Sequence, residues 1–237
     1  MAFESVARTH VGCRRRLNED ALLSRPDLGL WAVADGVGGH QAGEVASGLV
    51  VERLAACDGE GDVLLRAAAV QQALAGVNAE LLAMSAAAGA QRTISTTVVA
   101  MVADATSFAC LWAGDSRAYR VRGGELTQLT RDHSLVQELV DAGELDPADA
   151  ANHPNSNIIT RAVGGSARFE IEVIGGDVRP ADAFLLASDG LTRLVGDEEL
   201  LSSLTADDLE AAADSLIDTC LARGAPDNVT FVIVRPR

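Results

Sequence analysis

The chain has 237 residues, 48% hydrophobic and 22% charged, enough to bury one large core or two small ones. Nineteen basic against thirty-four acidic residues leave a formal charge of -15. Such a surface repels phosphodiester backbones and anionic lipid, so neither nucleic acid nor a membrane is an expected partner. Solubility alone accounts for this acidity, and so do carboxylates clustered to hold cations.

Met1 to His10 carries no apolar core of signal-peptide length, and no segment approaches the roughly 18 apolar residues of a membrane helix, so a cytoplasmic protein is expected. Cys13, Cys57, Cys110 and Cys220 are scattered, with neither a C-x-x-C pair nor a histidine at zinc spacing. They read as free thiols. Gly pairs at 38–39, 123–124, 164–165 and 175–176 mark turns rather than linkers, and a single domain over 1–237 is expected.

In chain order, Leu28 to Ala34 reads as a strand. From about Gln41 the residues Ala42, Val45, Ala46, Leu49, Val50 and Leu54 recur at helical spacing. A second helix carries Val63, Ala67, Val70, Leu74, Val77, Leu81 and Met84 along one face, to be laid on a sheet. Thr96 to Ala103, Ser107 to Ala113, Arg117 to Arg122 and Glu125 to Leu129 read as strands joined by a few residues each. Connections that short exclude parallel crossovers, so an antiparallel meander is expected. Further strands are expected at Phe169 to Ile174, Ala183 to Ala187 and Val229 to Val234. A third long helix opens at Thr205 with Asp208 three positions on, carries Leu209 to Cys220, and stops at Gly224. Helices flanking a largely antiparallel strand set give an α+β class.

The chemistry lies at the ends of apolar runs. Leu30 to Ala34 runs into Asp35-Gly36, Phe184 to Ser188 into Asp189-Gly190, and Cys110 to Gly114 into Asp115; Asp227 precedes a strand instead. A lone Asp-Gly is ordinarily a turn. Four such positions at strand boundaries, if they converge, cannot all stay charged in a poorly solvated cleft unless cations compensate them. Oxygen-only ligands select Mg²⁺ or Mn²⁺ over zinc or copper.

Seven segments in order carry a resemblance: Leu17-Asn18-Glu19-Asp20-Ala21, Ala34 to His40, Gly114-Asp115-Ser116-Arg117, Leu129 to Ser134, Ile159 to Gly164, Ser188-Asp189-Gly190 and Asp227-Asn228-Val229-Thr230. Together they resemble the motif series of metal-dependent type 2C protein serine/threonine phosphatases, in their compact bacterial form. The resemblance implies a four-layer α-β-β-α sandwich of two antiparallel sheets flanked by helices, with a centre at one end of the sheets. It implies that Asp35 bridges two metals and that the Gly36 carbonyl binds one of them. Asp189 and Asp227 would complete the other's protein ligands, and Glu19 and Asp20 would hold metal-bound waters. Asp115, with Asp189, matches a third metal position, and Arg15 matches the phosphate-binding arginine. Water activated between the cations would attack phosphorus in line, with no covalent phosphoenzyme.

The departures are few. Val37 stands where some members place a histidine two residues after the bridging aspartate, and Ser95 where glycine is usual. His40 reads either as a proton donor or as a helix-start histidine satisfied by backbone, and the general acid is left unassigned. Arg14 to Arg16 read either as a phosphate site at Arg15 or as a solvated basic patch. The segment 141–156, between two motifs, is longer than an ordinary connector and is expected to be a flap beside the active site.

The function expected is hydrolysis of phosphoserine and phosphothreonine in protein substrates, by a monomer opposing a bacterial Ser/Thr kinase. A non-catalytic module keeping the same fold is a different reading, which the full set of metal positions disfavours. Another two-metal hydrolase such as a nuclease is a third, disfavoured by the acidic surface. Regulation of type VI secretion, stress signalling and cell-wall control are all compatible settings.

Overall fold

The computed structural model describes residues 3–37, 42–88 and 93–237. His40, Gln41 and the Gly38-Gly39 pair lie outside the described residues. The elements run β1 (Phe3–His10), β2 (Asp20–Arg25), β3 (Leu30–Val37), α1 (Ala42–Ala55), α2 (Val63–Ala87), β4 (Ser95–Thr96), β5 (Val98–Ala103) and β6 (Ser107–Ala113). Then follow β7 (Arg117–Arg122), β8 (Glu125–Gln128), α3 (Leu135–Asp141), a 3-10 turn at Pro147–Asn152, β9 (Glu172–Asp177), β10 (Ala183–Ala187), α4 (Asp189–Thr192), α5 (Asp197–Thr205), α6 (Leu209–Ala222) and β11 (Val229–Pro236).

Two antiparallel sheets result, one ordered β1-β11-β10-β7-β8 and the other β2-β3-β5-β6-β9 with β4 paired to the end of β3. Side chains alternate across each strand, so every central strand feeds two layers. In β3, Leu30, Ala32 and Ala34 pack under α1 and α2 while Trp31 and Val33 face the other sheet. In β10, Leu185 and Ala187 pack under α5 and α6 while Phe184 and Leu186 face inward. Three apolar layers therefore separate four structural ones, which is the α-β-β-α order expected. Both faces of each sheet are covered, and that is why these strands read as continuous apolar runs rather than alternating ones.

The meander was the wrong inference. β5 pairs with β6 and β7 with β8, but β6 and β7 lie in different sheets. A short link forbids a parallel crossover without obliging its strands to pair. Here Gly114, at φ 119°, turns the chain from one sheet to the other, and a Cβ at that position would run into Thr97.

The third long helix starts later than expected. Asp208 is its N-cap, accepting from the Ala211 amide at 3.0 Å, whereas Thr205 ends the separate helix α5. β9 begins at Glu172 rather than Phe169, and β1, β2 and the short helices α3, α4 and α5 had no distinct period to announce them.

Candidate metal centre

Asp35 sits near the end of β3, where both of its backbone groups are held. Its carbonyl accepts from the Thr97 amide and the Thr96 hydroxyl, each at 2.8 Å, and its amide donates to Thr97 Oγ1 at 3.3 Å. Gly36 follows and packs directly on the Gly43 backbone of α1, leaving no room for a Cβ. The Gly36 amide donates to the Glu19 carbonyl at 3.1 Å, and Ser47 Oγ donates to the same carbonyl at 2.6 Å. Glu19 is thereby locked at the neck of β2, its own amide held by Asn228 Oδ1 at 2.8 Å.

The other sheet supplies the opposite wall. Because β10 and β11 are paired, the end of one and the start of the other present Asp189 and Asp227 side by side. Ser188 joins the sheets: its Oγ accepts from the Thr230 amide at 3.1 Å and donates to Asp20 Oδ2 at 2.9 Å. Gly190 lies against the Asn228 carbonyl, where a Cβ would clash. Asn228 Nδ2 donates to the carbonyls of Val11 and Leu17 at 2.9 and 3.0 Å, fastening the 11–19 loop.

That loop is made of turns rather than an extended segment. The selection of Arg15 nevertheless agrees with the geometry. Its Nη2 lies 2.7 Å from Asp227 Oδ2, and among the three arginines it alone lines the cleft.

Arg15, Glu19, Asp35, Gly36, Asp115, Asp189 and Asp227 all line one cleft of about 460 Å³. Asp20 does not line it. It lies behind Asp35, its direct partner in the β2–β3 register. Asp115 enters from the crossover between sheets rather than from a hairpin. Arg193 was not singled out from the sequence, although its i,i+4 spacing from Asp189 was a usable signal. Its Nη2 lies 2.9 Å from Asp189 Oδ2 and 3.6 Å from Asp115 Oδ2, and its other nitrogen bonds Asn157 Oδ1.

The electrostatics follow from burial. Desolvation, reinforced by the neighbouring Asp189 charge, pushes the Asp20 and Asp115 carboxyls up to about 7. Asp35 is raised well above the usual carboxylate range by desolvation and then by Asp20, Asp189, Asp115 and Asp227. Asp189 is raised by desolvation too, against the pull of Arg193.

The donors are all oxygen, which suits a hard divalent cation. Asp20 Oδ1 and Asp189 Oδ1 are buried without a hydrogen-bond partner among the described residues, so the residues fit such a group. Among the described residues no three side chains form a closed ligand cage. Mg²⁺ usually keeps several waters, so few direct carboxylates suffice.

A family model described as protein phosphatase 2C matches residues 13–225. The chain belongs to the protein phosphatase 2C family. It is 38% identical over 236 residues to the serine/threonine protein phosphatase PstP of Mycobacterium tuberculosis, covering 98% of this chain but 45% of that protein. It thus spans about half the length of that curated relative. The structure of PppA, described as a key regulatory component of T6SS in Pseudomonas aeruginosa, matches with TM-score 0.92 and 41% identity over 99% of this chain and 98% of that one. The catalytic domain of PstP in complex with two manganese ions matches with TM-score 0.86 and 36% identity, covering 99% and 98%. As a phosphatase 2C domain, the chain has the two-sheet α+β fold of those neighbours. Among its described residues no helix is long and apolar enough to cross a membrane.

Proposed function

We propose that this phosphatase 2C domain hydrolyses phosphoserine and phosphothreonine in proteins, using divalent cations held at the end of its two sheets. The observation that carries this is the convergence of Asp35, Asp115, Asp189 and Asp227 on one cleft, with Asp20 paired behind Asp35. A divalent cation is what allows such a group to be charged together near neutral pH.

Asp35 and the Gly36 carbonyl would hold one Mg²⁺ or Mn²⁺, and Asp35, Asp189 and Asp227 a second. Asp115 with Asp189 would hold a third, and Glu19 and Asp20 would act through bound waters. When bound, such cations activate water and take up charge developing on the phosphoryl oxygens. Arg15, at the cleft mouth, exchanges its bond to Asp227 for the substrate phosphate and holds it for in-line attack. Ser188 fixes Asp20, and Asn228 fixes the loop carrying Arg15, so each wall is rigid before substrate arrives.

The segment 141–156 acts as a flap within one domain spanning 1–237. Its support is Arg193, which ties Ser156 and Asn157 to Asp189. The domain is read as a monomer, and a Ser/Thr kinase would supply its phosphoprotein substrates. The test is hydrolysis of a phosphothreonine peptide by the purified chain with Mn²⁺. Activity should appear with the metal, vanish on exhaustive chelation and return on readdition; activity that persists through chelation would overturn the reading.

A further inference from the structure

The motif Thr130-Arg131-Asp132-His133-Ser134 takes no part in the centre described above. It braces the crossover that presents Asp115. Thr130 Oγ1 accepts from the Ala118 amide at 3.1 Å, Asp132 holds the Arg117 guanidinium with contacts of 2.9 and 2.7 Å, and the Arg131 carbonyl accepts from Trp112 Nε1 at 2.8 Å. The part of the brace that holds Gly114 itself is His133. The Gly114 amide donates to His133 Nδ1 at 3.1 Å, and the His133 amide donates to the Gly114 carbonyl at 2.9 Å.

His133 is itself immobilised. It is 7% exposed, its ring lies parallel to Trp112 at 6.0 Å, and its Nε2 stands 3.1 Å from Glu172 Oε1. Since Nδ1 accepts from Gly114, the ring proton resides on Nε2 and is donated to Glu172. The His133 carbonyl accepts from the Thr160 amide at 2.8 Å, beside Ile159 on the cleft wall.

Gly114 adopts φ 119°, a conformation that sterics leave soft for glycine. Nothing in the residue itself holds that torsion, so the direction in which Asp115 leaves the crossover depends on what grips Gly114 from outside. We propose that His133 is a positioning residue for Asp115, its Nδ1 fixing the Gly114 amide and thereby the entry of the Asp115 carboxylate into the cleft. The catalytic consequence rests on the reading of Asp115 as a cation ligand; the grip on Gly114 does not.

Two variants separate the contacts. His133→Asn keeps an acceptor where Nδ1 stood and loses the far nitrogen, whereas His133→Leu loses both. The measurements are exchange of the Gly114 amide by NMR, Mn²⁺ titration by calorimetry, and kcat against KM on a phosphothreonine peptide. In the leucine variant the Gly114 amide should exchange faster, and the weakest Mn²⁺ site and kcat should each lose about ten-fold, the effect usual for residues that orient ligands, with KM unchanged. The asparagine variant should recover most of each loss.

A leucine variant with wild-type Gly114 exchange and Mn²⁺ affinity overturns the proposal, as does an asparagine variant no better than leucine. If His133→Leu does not fold, His133→Gln, whose amide reaches the Nε2 position but not Nδ1, takes its place against asparagine. If Asp115→Ala leaves the number of Mn²⁺ sites unchanged, the reading of Asp115 as a ligand fails, and Gly114 exchange alone then decides the role of His133.

Discussion

Asp20 and Asp35 face one another as a direct cross-strand pair in the β2–β3 ladder. Like charges in that position repel, and here the pair is half-buried with Asp189 and Asp227 acting on both. A fold that keeps such a pair is less stable alone than it is with a cation nearby.

The first consequence is a pH dependence of the metal-free protein. Burial raises the Asp20 and Asp115 carboxyls to about 7 in the folded chain, from about 3.9 unfolded. A raised pKa means that the native state binds more protons, so this stabilisation is complete below the unfolded value and is lost as pH rises through about 7. In chelator, Tm should fall between about pH 4 and pH 7 and level off above that, and Mn²⁺ should restore it most at the higher pH. A Tm that rises across that window in chelator would contradict the electrostatics.

Asp35→Asn should separate stability from function. It removes a charge from the repelling cluster at nearly constant volume, so the metal-free protein should gain stability; each 1 kcal/mol of relief is about 2–4 °C in Tm for a chain of this size. Phosphopeptide turnover should fall at least about a hundred-fold, and the Mn²⁺-induced rise in Tm should shrink, if Asp35 is the bridging ligand proposed above. Retained turnover would remove Asp35 from the centre.

For Asp115→Ala the expectation is narrower. Two tight Mn²⁺ sites should remain while a weaker third disappears, with a loss of kcat and little change in the fold. Calorimetric titration of wild type and variant side by side, showing equal site numbers, would count against this assignment.

Arg15 should carry the substrate phosphate. A hydrogen bond to a charged group is worth about 1.5–3 kcal/mol, so Arg15→Ala should cost roughly ten- to a hundred-fold in kcat/KM. Lysine keeps the charge without the planar fork and should recover part of it. Alanine at Arg14 or Arg16, which do not line the cleft, should change kcat/KM by less than about three-fold, as for other exposed charges. Equal losses at all three positions would mean a diffuse basic patch instead.

The helices α1 and α2 were legible because their apolar spacing is long and regular, and the Asp62 cap that starts α2 agrees with it. The four cleft aspartates were legible for a different reason: each interrupts or adjoins a buried apolar run, where a charge is costly. Arg193 and His133 left weaker traces. Arg193 reads as an ordinary surface residue until α4 turns it back over Asp189, and His133 lies 19 positions from the glycine it grips.

By itself, then, the sequence determined the α+β class, the helix and strand periods, and the residues that would form an oxygen-rich centre, since burial and turn chemistry act locally along the chain. Which sheet each strand joins was decided only in three dimensions: Gly114 carries β7 away from β6 although the linking residues would serve a hairpin equally well. The same holds for the Asp20–Asp35 pair, the Ser188 bridge between sheets and the Arg193 tie to Ser156 and Asn157. Each depends on register and packing between elements, and those arise from the balance of the whole core rather than from any one segment.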